Sequence, residues 1–207
     1  NKLYEDSVII NIDYIKEIFD KKPKMIMKKI ADKSYIGFVN GLYATSSGVG
    51  GITIIEAYKT IAETKLALTI TGQQGDVMKE SISCAKTIAW NVIPSKIKDK
   101  LLKEWKEQAY GIHLHCPEAA TPKDGPSAGG AITLCIVSLL TSIRVKNDVA
   151  LTGEIDLNGK IYAIGGLDLK IDGGKTAGVK KILMPKQNTQ DLDLSLIHIS
   201  EPTRRRT

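Results

Sequence analysis

Two residues in this chain have the types and settings that acyl-transfer chemistry requires. Ser127 stands in Pro122-Lys123-Asp124-Gly125-Pro126-Ser127-Ala128-Gly129-Gly130, behind a Gly-Pro corner and ahead of an apolar run over residues 131–140. Gly125 and Pro126 set a tight turn, and the run is long enough for a buried helix. Ser127 then falls at the helix start, where free backbone N–H groups and the positive dipole end favour developing negative charge. That setting suits a nucleophilic oxygen and an oxyanion, and it equally suits a serine that only caps the helix. A serine hydroxyl needs a base beside it, and no Asp-His pair at triad-like positions is evident. A lysine can take that part if burial lowers its pKa. Lys170, in Ile164-Gly165-Gly166-Leu167-Asp168-Leu169-Lys170-Ile171, has an apolar setting after a glycine pair; the plain alternative is an exposed helical lysine.

The elements that must position these two follow from the apolar pattern. Short strands are predicted over 35–39, 51–57 and 65–71, with the glycine-rich Ser46-Ser47-Gly48-Val49-Gly50-Gly51 as a loop between the first two. That loop lacks the following lysine and helix of a phosphate-binding loop. Asp76 is placed to cap a helix whose apolar positions are Val77, Met78, Ile82, Ala85, Ile88, Ala89 and Val92. Pro94-Ser95 starts a second helix reaching Trp105, and a strand over 111–116 leads into the Ser127 loop. A strand over 148–155 turns at Asn158-Gly159, a strong hairpin signal, into a strand over 160–164. A short helix holding Lys170 and a last strand over 181–185 complete the pattern. Strands and helices interleave without an internal repeat, so the class is α/β or α+β.

A chain of 207 residues, 43% hydrophobic and 25% charged, suits one soluble globular domain with or without an appendage. No run approaches the roughly 18 apolar residues of a membrane span. Cys84, Cys116 and Cys135 are odd in number and lack CxxC spacing, which points to reduced core cysteines in a cytosol-like compartment. Residues 194–204, Leu-Ser-Leu-Ile-His-Ile-Ser-Glu-Pro-Thr-Arg, resemble the conceptual translation of a sequencing-library adapter, so natural sequence is expected to end near Asp193. Leaving out residues 194–207 removes Glu201, Arg204, Arg205 and Arg206 and takes the net charge from +6 to +4. The remaining lysines are scattered as on solvated helix faces, so nucleic-acid binding is left open without being indicated. His113 and His115 share one face of a strand, as a metal pair would, but there is no HExxH and no clear third ligand.

Five segments recur in order: 71–81 (Thr-Gly-Gln-Gln-Gly-Asp-Val-Met-Lys-Glu-Ser), His113 to Glu118, Pro122 to Gly129, Leu151-Thr152-Gly153-Glu154-Ile155, and Ile164-Gly165-Gly166-Leu167 with Lys170. Together they resemble the proteolytic domain of the ATP-dependent Lon proteases, from about Ile36 to Asp193. The resemblance implies an α+β fold like that of ribosomal protein S5 domain 2. It makes Ser127 the nucleophile and Lys170 the general base of a Ser-Lys dyad. Thr152, Asp124, His113, His115 and Glu154 would support the site. It also implies unfolded or damaged polypeptide substrates, a homohexameric ring, and an upstream AAA+ module using ATP and Mg²⁺, with residues 1–35 as the linker from it. The fragment itself needs no cofactor or metal, and the expected location is the cytoplasm or an organelle matrix. A domain of the same fold that keeps assembly and has lost proteolysis is the rival from another class.

Three departures from the family pattern bear on the site. The family usually has Gly-Leu-Ala-Trp-Thr where this chain has Gly41-Leu42-Tyr43-Ala44-Thr45, and the loop after it, slightly longer here, is expected near the site, which bears on substrate preference. Gly173 and Gly174 stand where helix formers are usual; at about 1 kcal/mol each in a helix interior they predict a looser segment. The family's final strand and helix are expected after Asp193, where the adapter-like tail stands.

Overall fold

A computed structural model describes residues 11–20, 27–119 and 121–192. The adapter-like tail lies outside the described residues. A mixed six-stranded sheet forms the centre, with helices on both faces, an α+β arrangement. Its strands are β1 (Phe38–Ala44), β2 (Gly50–Ile61), β3 (Leu68–Thr71), β4 (Tyr110–His115), β5 (Val149–Leu151) and β8 (Lys181–Leu183), in the order β3-β4-β2-β1-β5-β8. β1 pairs antiparallel with β2 and parallel with β5, and β2 pairs antiparallel with β4. A small hairpin of β6 (Glu154–Ile155) and β7 (Ile161–Tyr162) stands apart from the sheet.

Alternation along the strands divides the core into two layers. Val39, Ile55, Ala57, Ile112 and Leu114 face α2 (Asp76–Val92) and α4 (Gly129–Thr141), with α3 (Ser95–Glu104) beside them. Leu42, Ile52 and Ala150 face the other way, toward α5 (Leu167–Ala177). The first layer is the larger core, and α4 lies wholly within it: Ala131, Ile132, Cys135 and Ile136 are fully buried. Cys116 and Cys135 are free thiols, and burial pushes Cys116 up to about 12.

Several sequence-derived boundaries move. The first strand, expected over 35–39, runs instead from Phe38 to Ala44, and the connection is the tight hairpin at Thr45–Val49, closed by Thr45 N donating to Val49 O at 2.8 Å. The strand expected over 148–155 breaks after Leu151, because Gly153 takes φ +156° and turns the chain out of the sheet. In α2, Val77 and Val92 are exposed by 46% and 60%, while Ser81 is buried on the inner face. Helix α1 (Ile12–Asp20) precedes the domain. From Met27 the chain lies along the domain surface: Ile30 N donates to Ala177 O, and the Ile30 side chain packs into the second core.

The glycines of α5 do not loosen it. Gly173 and Gly174 are buried inside a continuous helix. A Cβ at Gly173 would overlap the backbone of Gly50 and Gly51, and a Cβ at Gly50 would overlap the Leu169 carbonyl. Helix and strand therefore meet backbone to backbone, an approach only glycine permits. Gly173→Ala is expected to destabilise the domain by about 1–3 kcal/mol through overpacking, despite the ~1 kcal/mol of helix propensity that alanine gains. A urea unfolding midpoint equal to or above that of the parent protein would refute this close packing.

Candidate active site

Ser127 lies half-buried in a single 3-10 turn, Pro126–Ala128, that runs directly into α4. The turn is held by its main chain. The Ser127 carbonyl accepts from Gly153 N at 2.8 Å and from Thr152 Oγ1 at 3.2 Å, and Gly130 N donates back to Gly153 O at 2.9 Å. Thr152 N in turn donates to Leu183 O at 3.0 Å, so the turn is tied to the end of the β5–β8 ladder. Small residues make this docking feasible. A Cβ at Gly129 would sit 2.8 Å from Ser81 Oγ and 2.9 Å from the Ile155 side chain. Ser127 thus has its carbonyl fully engaged.

Upstream, the loop runs beside the entry to α2. Gly75 N donates to Lys123 O at 2.8 Å, and Lys123 N to Gln73 O at 3.0 Å. Asp124 Oδ1 accepts from Met78 N and from Gly125 N, each at 2.9 Å. Asp124 therefore supplies the N-terminal cap of α2 from another segment, a part the sequence had suggested for Asp76, which is instead the helix's first residue. It also holds the corner just before Ser127. The Lys123 ammonium donates to the carbonyls of Glu118 at 2.7 Å and Thr121 at 2.9 Å, strapping the preceding loop. Burial first, then the charge of Lys28, lowers the Lys123 pKa.

Lys170 is in the second turn of α5, with its N–H bonded to Gly166 O at 3.0 Å. Its side chain is not exposed: the residue is 4% accessible, and burial lowers its pKa. Burial is the only cause of that shift, so no neighbouring carboxylate offsets the desolvation. Desolvation of this kind raises the share of neutral amine, the form that can accept a proton. Gly166, at the helix start, packs against Ala44 at the end of β1. The register Gly41↔Leu151 sets the end of β1 beside the end of β5, where Thr152 and Gly153 hold Ser127. The Ser127 turn is thus anchored at the end of β5, and the helix that carries Lys170 starts at the end of the neighbouring β1.

The other expected site residues divide. Thr152, 1% accessible, bonds directly to the Ser127 main chain. His113 and His115 lie on the sheet face away from α4, and both ring systems meet Thr71 Oγ1, through Nε2 at 3.0 Å and Nδ1 at 2.7 Å. One hydroxyl has one proton, so at least one imidazole must donate to it. Among the described residues no third His, Cys, Asp or Glu completes a metal-ligand group with them. Glu154 is exposed on β6, opposite Tyr162.

Asn188 was not singled out from the sequence. It is 2% accessible in a 3-10 turn after β8. Its side-chain amide accepts from Ile164 N at 3.0 Å and donates to Ile164 O at 2.8 Å, fixing the segment that leads into α5. An asparagine in Lys186-Gln187-Asn188-Thr189 carries no sequence signal for that part, because its partner lies 24 residues away.

The Lon protease (S16) C-terminal proteolytic domain model matches residues 10–200. A Lon protease homolog of Acanthamoeba polyphaga mimivirus is 42% identical over 203 residues, 94% of this chain and 19% of that protein. The Lon protease of Flavobacterium johnsoniae is 43% identical over 194 residues, covering 90% of this chain and 23% of the relative. That of Fusobacterium nucleatum is 46% identical over 160 residues, 76% of this chain and 20% of the relative. The chain thus spans about a fifth of the length of these curated relatives. With a family-model match over residues 10–200 and relatives 42–46% identical over most of its length, the chain belongs to the Lon protease C-terminal proteolytic domain family, a family of serine peptidase domains.

Proposed function

We propose that this domain hydrolyses peptide bonds with Ser127 as nucleophile and Lys170 as general base. The observation that carries the proposal is a buried lysine without a counter-charge, on a helix that starts at the end of β1, next to the end of β5 that anchors the Ser127 turn. A neutral Lys170 amine takes the hydroxyl proton as Ser127 Oγ attacks the substrate carbonyl carbon. The resulting ammonium gives that proton to the leaving amine as the C–N bond breaks, which leaves an acyl-enzyme. Water, deprotonated by the same amine, then releases the acid and restores the serine. The N–H groups that open the 3-10 turn and α4 are the oxyanion donors in this scheme. Thr152 and Asp124 act by holding the main chain around Ser127. His113, His115 and Glu154 would act at longer range, supporting the loops and hairpin that flank the turn.

The wider activity rests on family membership. Substrates are unfolded or damaged polypeptides, delivered by an upstream AAA+ module that hydrolyses ATP with Mg²⁺, within a homohexameric ring in the cytoplasm or an organelle matrix. The domain's topology is that of the ribosomal protein S5 domain 2-like fold. The glycine-rich Ser46–Gly51 segment does not fit a nucleotide phosphate, since it closes a β-hairpin and no helix follows it. Among the described residues no helix is long and apolar enough to cross a membrane.

Ser127→Ala is expected to lower peptidase activity by about a thousandfold or more with the fold retained. A serine-directed electrophile should add once to the parent chain, at Ser127, as read by intact mass. An adduct elsewhere, or turnover surviving in the alanine variant, rejects the nucleophile. Lys170→Met should abolish both labelling and turnover, and a pH–rate profile like the parent's in that variant would remove lysine as base.

Lys170 also links stability to pH. Its folded pKa lies below the ordinary 10.5, so the unfolded chain binds more protons between those two values. Stability therefore rises with pH through that window, as the cost of burying an ammonium disappears. Lys170→Met should be the more stable protein below the folded pKa, and its advantage should vanish as pH approaches 10.5. Parallel stability curves for the two proteins across that window would show that the lysine is not desolvated.

A further inference from the structure

The serine and lysine sides of the site are joined by one short segment, residues 183–188, which leaves the sheet at the end of β8. At its start, Leu183 O accepts from Thr152 N at 3.0 Å, and Thr152 Oγ1 donates to the Ser127 carbonyl. The Pro185 ring lies against Gly153, 3.5 Å from where a Cβ on that glycine would stand, and Gly153 N donates to the same carbonyl. Three residues further on, the buried Asn188 amide engages the approach to α5. Its Oδ1 accepts from Ile164 N at 3.0 Å, and its Nδ2 donates to Ile164 O at 2.8 Å and to Asp191 Oδ2 at 2.6 Å. Gln187 Oε1 accepts from Ala163 N at 3.0 Å. Two successive side chains thus stand in for a neighbouring strand along residues 163–164.

What lies between Ile164 and α5 gives this pinning its consequence. Gly165 and Gly166 form the link, with Gly166 left-handed at φ +65°. Among the described residues nothing stands within 4 Å of a Cβ built at Gly165. Glycine loses more conformational freedom on ordering than any other residue, so the start of the helix has to be held from outside. Contacts of Leu169 and Gly173 with Gly50 set how deep α5 sits. Asn188 fixes the residues that feed its first turn, where Gly166 O accepts the N–H of Lys170 at 3.0 Å. A shift of that turn moves Lys170 relative to a serine turn held separately, through Thr152 and Gly153. We propose that Asn188 is a positioning residue: through Ile164 and the glycine pair it sets the place of Lys170 relative to the Ser127 turn. Asn188 acts through the main chain, and the kinetic part of the inference rests on the peptidase reading.

Asn188→Leu, which keeps the volume and removes every bond of the amide, tests it beside Asn188→Ala and the exposed change Gln187→Ala. Each variant of the whole chain is checked by circular dichroism and urea unfolding. With a fluorogenic peptide, Asn188→Leu is expected to lower kcat by about a hundredfold with KM within about twofold, the mark of misplaced reacting groups rather than of lost substrate contact. Gln187→Ala should lower kcat in the same direction by less. Isotope-labelled lysine, followed by NMR at Cε, gives a second reading that needs no turnover, with Lys170→Met assigning the resonance. Lys170 is expected to titrate closer to 10.5 in Asn188→Leu than in the parent, because a displaced first turn readmits water. The inference falls if folded Asn188→Leu keeps the parent's kcat and Lys170 titration and loses only unfolding midpoint, which would leave Asn188 structural. It also falls if KM rises with kcat unchanged. Should both Asn188 variants fail to fold, Gln187→Ala decides, and an unchanged kcat and titration there overturn the inference. A parent chain without turnover, or turnover surviving in Ser127→Ala, would defeat the peptidase reading instead, and the Lys170 titration would still decide for or against Asn188.

Discussion

The backbone contact between α5 and the start of β2 sets the distance on which the site depends. Gly50 and Gly173 have no Cβ, so the helix axis approaches the sheet more closely than side chains would allow. That approach presses the first turns of α5 against the ends of β1 and β2 and takes Lys170 out of solvent. Burial alone then lowers its pKa. A larger residue at either of these two positions would lift the helix, readmit water and return the lysine toward an ordinary ammonium. The electrostatics of the site thus originate in packing, on residues that have no functional groups.

The serine is handled differently. Its carbonyl, not its hydroxyl, carries the structural bonds, to Gly153 N and Thr152 Oγ1. Asp124 and Ser81 bind the residues just before it to α2. Fixing the main chain through neighbours leaves the side chain available for chemistry, and it sets the N–H groups of the turn in a defined direction. The break in the strand after Leu151 makes this feasible. Had residues 152–155 continued in the sheet, the Gly153 N–H would be engaged in a ladder rather than aimed at Ser127.

Features governed by local chemistry were legible in the sequence. The Gly-Pro corner and apolar run place Ser127 at a helix start, and Asn158-Gly159 closes the β6–β7 hairpin. The periodicity of α2 identifies most of its buried face. What was illegible depends on partners distant in the chain. Asp76 resembles an N-cap by position, but Asp124 performs that part from 46 residues away relative to Met78. Gly173 and Gly174 suggest weakness by helix propensity, and only the facing strand reveals a close contact. His113 and His115 alternate as a shared face requires, but nothing local says that Thr71 lies between them. Propensity treats each residue alone, whereas these positions are decided in pairs.

The same contrast explains why an unstable arrangement persists at the site. A lysine buried without a carboxylate lowers stability at every pH where it must be charged when unfolded. A nearby Asp or Glu would relieve that cost, but by favouring the ammonium it would work against the proposed role of Lys170 as base. Asp168 and Asp172, two positions either side of Lys170 on α5, do not relieve it: neither contributes to the shift. Residues two apart on a helix point in different directions, and Asp172 lies 3.8 Å from the exposed Lys175 instead. The helix thus carries carboxylates on its solvated side and withholds them from the buried one. This is what the proposed general base requires, since a carboxylate on the buried side would favour the ammonium.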